Sequence, residues 1–550
     1  MMKKNVLCAL TLALSGLIIT SCYSPAKMAK YPESVTVACV PQVLEVVADV
    51  INATYTVSFA DGFFHPKAIL EINPVLVYKG GEEAVPILNL QGEKIMDNYK
   101  VIPVAGGSAA HGIQFAYKPG MEASHLELRL TVKDKDGNRY PFPYAYKTAD
   151  GANFTYKLAS FGGSAAFAPD AHQKVIREQK EAQIMYLVNS STVRPNQLTK
   201  AEIKEFEQFL ANAVKDERRD VKNTQIIAYA SPEGPTAFND KLSASREKSA
   251  ETAYKNATKK IATGVDLRTV SMGEDWDGFK ALVAESNIPD KNLILRVLEM
   301  YSDANVRERE IRNMSAVFTT LQDKVLPELR RARLIANVDF TNYTNDELVS
   351  MVKTNLNKLD EEALLRVGSL LTDNKEKINV YKQAAEKFNS TRGYNNLAVA
   401  YLNNNDLAAA KTALAKASNQ NPHVKNNLGV IAMREGKYDE AIALFNQAGL
   451  PESKFSLGTI DMLRGKYVDA AAKLAGEGEH NEAIAYLLTN QLDKAAAVMK
   501  CECPKGSYIR AIIAARKGDK AAWAKEMAVV NTNATLKARA ENDIEFAKMR

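Results

Sequence analysis

Cysteine, histidine and tryptophan are scarce in this 550-residue sequence, at five, six and two residues. His65, His111, His125, His172, His423 and His480 stand singly, so neither an HExxH helix nor a hydrolase triad can be assembled. Nothing in the chain reads as an enzyme. Cys501-Glu502-Cys503 lacks a second CxC, CxxC or HxxxH to complete four ligands. It is open to three readings: small side chains at a helix end, a redox pair, or half of a metal site. The first is preferred, and no metal or cofactor is expected. A surplus of one charge is also missing. Lys and Arg number 71 against 65 acids, a net of +6, and no basic stripe is interleaved with aromatics, which excludes a nucleic-acid partner. Apolar runs long enough to span a bilayer as a helix are absent beyond residue 20.

What is present begins with a leader. Lys3 and Lys4 precede an apolar stretch over residues 5–20, the pattern of a secretory signal covering residues 1–21. Ile19-Thr20-Ser21-Cys22 resembles a bacterial lipobox. That resemblance implies cleavage before Cys22 and lipidation of its thiol. Three acyl chains, at about 0.8 kcal/mol per buried CH₂, anchor a protein without a second signal. The residues after Cys22 carry no Asp at the second position. By similarity to lipoprotein sorting rules, this implies the outer membrane, with the periplasmic face favoured over the cell surface.

Residues 22–161 have the grammar of strands. Leu126-Glu-Leu-Arg-Leu-Thr-Val132 alternates with period two, Asp136-Gly137 supplies a turn, and Tyr140–Tyr146 suits an edge strand. Further strands are expected at 35–40, 55–59, 68–72, 75–78 and 113–117, which together suggest a β-sandwich. Gly106-Gly107-Ser108 and Gly162-Gly163-Ser164 read as loops, and 162–175, rich in Gly, Ser and Ala, reads as a linker.

Residues 176–342 alternate strand and helix. Strands are expected at 183–189, 224–230, 267–272 and 334–340. Thr199-Lys-Ala-Glu202 reads as a capping box opening a helix with Ile203, Phe206, Leu210 and Val214 on one face. A second helix is expected from about Lys241, and a helical insertion over about 276–330. Gly273-Glu-Asp-Trp-Asp277 reads as a helix start carrying acids against the dipole. The stretch "IIAYASPEG....FNDKLSASRE" is similar to the OmpA-like peptidoglycan-binding domain, matching it at Gly234, Asn239, Leu242, Ser243 and Arg246. "SMGEDWDGFKALV" and "VLPELRRARLIANVDF" resemble variant OmpA-like modules of outer-membrane and fimbria-associated lipoproteins. In that family an aspartate and an arginine clamp the ammonium and carboxylate of diaminopimelate. Here the aspartate's position falls on Ser231, with Glu233 two residues on. The resemblance therefore implies an anion site at Arg246, with Ser231, Glu233 and Asn239 around it. Peptidoglycan contact would be weak, since an unpaired desolvated ammonium costs several kcal/mol.

Residues 343–550 are helical throughout. "YNNLAVAYLNNNDLAAAKTALAKASNQNP" and "KNNLGVIAMREGKYDEAIALFNQA" resemble tetratricopeptide repeats. Leu397, Ala398, Tyr401, Ala410, Leu414, Ala417 and Pro422 fill the first pattern; Leu428, Gly429, Ala432, Ala441, Phe445 and Ala448 fill the second. Turns recur at Asn405, Gly436, Gly465, Asn490 and Gly518, somewhat closer than the family period of about 34 residues. Stacked helix pairs present a surface for proteins. The expectation is thus a multidomain chain: β-sandwich, α/β OmpA-like sandwich with helical insertion, and α-helical repeat solenoid. Its function is read as a lipid-anchored outer-membrane scaffold holding a protein partner. The alternative is a peptidoglycan tether.

Overall fold

The computed structural model describes residues 24–550 apart from 262, 263, 289 and 479. The leader and Cys22 lie outside the described residues. The chain forms two compact units, divided at Ala168/Pro169 and at Ala384/Ala385.

The first unit opens with α1 (Pro25–Met28), followed by β1 (Val35–Val40), β2 (Val43–Val47), β3 (Val50–Phe59), β4 (Ile69–Tyr78), β5 (Gly81–Ala84), β6 (Leu88–Gly92), β7 (Lys100–Ile102), β8 (Gly107–Ala116), β9 (His125–Lys133), β10 (Arg139–Pro141) and β11 (Tyr146–Asn153). Among the described residues they form an 11-stranded system in the order β1-β3-β2-β11-β9-β4-β6-β7, with β10, β5 and β8 paired at its sides. The alternation in β9 buries Leu126, Leu128, Leu130 and Val132. The strands expected at 68–72 and 75–78 are one strand, β4. Its Pro74 falls between the stretch paired with β6, Ile69–Ile72, and the stretch paired with β5, Val75–Tyr78. Proline is tolerated at this break, where its carbonyl still accepts from Val85 N at 3.3 Å. Tyr140–Tyr146 is not a single strand but is split between β10 and the start of β11.

The second unit contains β12 (Val175–Met185), α2 (Pro195–Leu198), α3 (Ala201–Lys215), β13 (Arg219–Ala230), α4 (Thr236–Thr258), β14 (Leu267–Glu274), α5 (Trp276–Glu285), α6 (Lys291–Met300), α7 (Ala304–Asn313), α8 (Ser315–Lys324), β15 (Arg331–Thr341), α9 (Asn345–Thr354), α10 (Glu361–Leu370) and most of α11 (Asn374–Phe388). The sheet order is β12-β15-β13-β14; only β13 and β14 pair in parallel. Ile203, Phe206 and Leu210 of α3 join Ala250 and Tyr254 of α4 against Ile184, Ile226 and Leu334. The insertion α5–α8 has a core of its own around Phe279, Val283, Leu298 and Leu321. The capping box at Thr199 does not form. Thr199 closes α2, its hydroxyl donating to Asn196 O at 3.2 Å, and Lys200 opens α3 without a side-chain cap. Ala213, three residues after Leu210, completes the buried face, and Val214 is exposed. The helix expected from Lys241 begins at Thr236. Asp275 does cap α5, accepting from Gly278 N at 2.9 Å, and pairs with Arg331 at 2.7 Å.

The remainder of the first unit is α12 (Thr391–Asn403), α13 (Leu407–Leu414), α14 (Pro422–Arg434), α15 (Tyr438–Ala448), α16 (Pro451–Leu463), α17 (Tyr467–Leu474), α18 (His480–Leu488), α19 (Leu492–Val498), α20 (Pro504–Lys517), α21 (Lys520–Val530) and α22 (Ala534–Asn542). These helices pack in consecutive pairs, with Ala410, Leu414, Ala441 and Phe445 buried between them. One hydrophobic cluster runs from the strands into the later helices, joining Val46, Leu128 and Phe154 to Ile484, Tyr508, Ile512 and Phe546. At this joint the buried Glu545 carboxylate accepts from Arg516 Nε at 2.9 Å, Asn153 Nδ2 at 2.7 Å and Thr155 Oγ1 at 2.9 Å. Sheet and repeats are therefore one folded body, where separate blocks ending at 161 and starting at 343 were expected. No helix among the described residues is long and apolar enough to cross a membrane.

Candidate functional site

The first helices of successive pairs, α12, α14, α16 and α18, carry polar side chains that are buried: Asn395, Asn396, Asn426, Asn427, Ser456 and Asn481. Burying a carboxamide without partners costs about 1–3 kcal/mol per unsatisfied group, so each must find donors and acceptors. They find them in the chain's own segment 160–168. Asn481 accepts from Ser160 N at 2.9 Å and donates to Ser160 O at 2.9 Å. Asn427 does the same for Ala166, at 2.8 and 2.9 Å, and Asn396 for Ala168, at 2.7 and 2.9 Å. Ser164 N donates to Ser456 Oγ at 2.9 Å, and Ser164 O accepts from Asn426 Nδ2 at 2.9 Å.

Asn396, Asn427 and Asn481 thus each supply one donor and one acceptor to one residue, as a neighbouring strand does, and at Ser164 the two roles are shared between Asn426 and Ser456. The bound residues are even-numbered, which is the period of an extended chain whose alternate backbone groups face one way. The asparagines also brace one another: Asn427 Nδ2 reaches Asn395 Oδ1 at 2.9 Å, and Ser453 Oγ donates to Asn426 Oδ1 at 2.7 Å. Arg434 adds a bond from Nε to Gly162 O at 2.8 Å. The segment expected as a linker from 162 is therefore, up to Ala168, seated on the repeats through its backbone, outside any helix or strand.

Gly163 is the tight point of this seat. It has φ +70°, and a Cβ there would come within 3.3 Å of Met433 Sδ and Val430 Cγ2. Left-handed backbone disfavours any side chain by about 1 kcal/mol. Gly163→Ala is expected to lower stability by about 1–2 kcal/mol, read as a shift in the urea midpoint; an unchanged midpoint would show that the segment is not held.

The residues singled out in the second unit also come together. Ser231 Oγ donates to Glu233 Oε1 at 2.8 Å, and Glu233 pairs with Arg330 Nη2 at 2.8 Å. Asn239 Nδ2 donates to Glu274 Oε1 at 2.8 Å and more weakly to Gly234 O at 3.3 Å. Arg246, on α4, is 1% exposed. Its guanidinium donates to the carbonyls of Leu187 at 3.1 Å, Ser190 at 3.0 Å and Tyr229 at 2.9 Å, and lies 5.1 Å from the Tyr186 ring centre. Burial pushes its pKa down to about 10. Each of the four side chains has internal partners, so the arrangement braces the β13–α4 loop.

The sequence reading passed over the asparagines. Their signal is nonetheless visible: "NN" precedes the Leu of both repeats, in "YNNLAVAY" and "KNNLGVIA". A polar pair recurring in register on an otherwise apolar helix face marks a line of backbone contacts.

The tetratricopeptide repeat family model matches residues 391–424 and 422–448, and these segments are tetratricopeptide repeats. Among solved structures, a tetratricopeptide repeat protein from Parabacteroides merdae is 13% identical with TM-score 0.28, covering 36% of this chain and 91% of that one. The pilF protein of Pseudomonas aeruginosa is 15% identical with TM-score 0.27, covering 37% and 97%. The Cut9–Hcn1 hetero-tetramer of the APC/C is 12% identical with TM-score 0.31, covering 56% and 72%. No curated protein matches the chain.

Proposed function

We propose that the chain is a lipid-anchored scaffold of the outer membrane, facing the periplasm, whose repeats and strand-rich region form one docking body for a protein partner. The observation that carries this reading is the line of asparagines. Side chains that pair with backbone N–H and C=O select an extended conformation rather than a sequence, which is how extended peptides are recognised at sheet edges. In this chain that recognition is spent on residues 160–168. It fixes the repeats to the strands and leaves the outer faces of both to the partner. The anchor is Cys22, read from its lipobox resemblance.

The tethering alternative has less support. Ser231 offers no charge to an ammonium, Glu233 is committed to Arg330, and Arg246 to three carbonyls.

The test is membrane fractionation followed by co-purification from detergent-solubilised outer membrane. The wild type is expected to sediment with the membrane and to bring a protein with it, while Cys22→Ala moves to the soluble fraction. Retention of Cys22→Ala after a carbonate wash would overturn the anchor. In a sacculus pull-down the wild type is expected in the supernatant; pelleting of wild type but not of Arg246→Ala would establish the tether instead.

A further inference from the structure

The Cys-x-Cys stretch acquires a third ligand-type atom only in the folded chain. His480 opens α18, 23 residues before Cys503, too far along the sequence for any short motif to join them. In space its Nε2 lies 3.1 Å from Cys503 Sγ. The imidazole nitrogen and the Cys501 and Cys503 sulfurs all lie within 4.8 Å of one another. The two cysteines are joined as a disulfide.

The surroundings are arranged for charged sulfur. Cys503 N donates to Cys501 Sγ at 3.2 Å, and Gly506 N donates to Cys503 Sγ at 3.3 Å, Cys503 being the N-cap of α20. Backbone N–H groups at a helix start favour a thiolate over a thiol. The turn that aims them needs Gly506, where a Cβ would fall 2.4 Å from Cys501 O. Arg510 holds Cys501 O from the other side. His480 also lines a cavity of about 410 Å³ together with Glu452, Phe455 and Glu477, so the cluster has a route to solvent.

We infer that, in its dithiol form, the cluster of Cys501, Cys503 and His480 binds one soft closed-shell cation, zinc(II) or copper(I). Thiolates and imidazole are donors such ions accept; zinc(II) takes three protein ligands with a fourth position left open, and copper(I) is satisfied by two or three. The balance is simple. An external dithiol gives two electrons and two protons to the disulfide and is itself oxidised to a disulfide. The cation then displaces the two thiol protons as it binds. Exchange with an external disulfide, which takes the two electrons and is itself reduced to a dithiol, reverses the sequence and releases the ion. Because Asn481 follows His480 directly and clamps Ser160, a metal held here would bear on the end of the seated segment.

The full chain, reduced with a phosphine and desalted without oxygen, is titrated with zinc(II) against a chromophoric chelator and, separately, with copper(I) against a copper(I) chelator. Cobalt(II) serves as a spectroscopic probe. The reduced protein is expected to bind one equivalent, with a thiolate-to-cobalt charge-transfer band. The same protein left oxidised is expected to lose that equivalent and the band. His480→Asn in the reduced state should weaken binding at least tenfold, and Cys503→Ser should abolish the band. The zinc and copper arms identify which ion is held. Equal metal content in reduced and oxidised protein, no binding by the reduced wild type, or an intact band in Cys503→Ser would each overturn the inference.

Discussion

Asn396→Ala combined with Asn427→Ala is expected to release residues 160–168 from the repeats and to cost the first unit about 3–5 kcal/mol. Each truncation removes one donor and one acceptor from a buried backbone residue, Ala168 or Ala166. Of the four groups affected, only Ala166 O keeps a second partner, Asn395 Nδ2 at 3.0 Å. Ala166 and Ala168 are themselves buried, so solvent cannot replace what is lost without opening the seat. Hydrogen exchange gives the local reading: the amides of Ala166 and Ala168 should lose protection while β12–β15 keep theirs. Unaltered protection at both amides would show that the carboxamides do not hold the segment.

Glu545→Ala is expected to cost the first unit about 2–4 kcal/mol, by removing the carboxylate partner of the half-buried Arg516 guanidinium, which keeps its bond to Leu487 O at 2.6 Å, and of Asn153 and Thr155. Burial raises the Glu545 pKa, but the bonds and charge of Arg516, with Thr155 and Asn153, outweigh it and the net shift is downward. A carboxyl depressed in the folded state contributes stability above its unfolded pKa and loses it as pH falls through the folded value. The wild type should therefore lose stability on acidification below about pH 4, and Glu545→Ala should show a flatter acid limb from a lower start. Glu545→Gln, which still accepts from Arg516, should recover part of the loss. Equal urea midpoints for wild type and Glu545→Ala at neutral pH would refute the account.

What the sequence made legible follows short periods. The alternation at Leu126, Leu128, Leu130 and Val132 and the helical spacing of Ile203, Phe206 and Leu210 are local, and both appear in the core. So are the repeat positions Ala410, Leu414, Ala441 and Phe445. Thr199 misled because a capping box is also a local pattern, and the short helix at Pro195–Leu198 takes the threonine first. The seat of residues 160–168 could not be read from periodicity. Its asparagine partners lie between 228 and 321 positions away, and a Gly/Ala/Ser stretch looks the same whether free or clamped. The His480 donor was hidden for the same reason.

The two-part make-up of the first unit bears on when the protein can fold. Its strands are complete by Asn153, yet the cluster they share with the repeats is closed by Phe546. Residues 169–384, lying between, form a unit whose own contacts are all available once Ala384 has been made. During vectorial synthesis the strand-rich region must therefore wait with part of its apolar face uncovered, while the inserted unit folds ahead of it. The long wait is a consequence of contact distance, not of weak pairing. It makes the nascent strands the segment most in need of a holding chaperone.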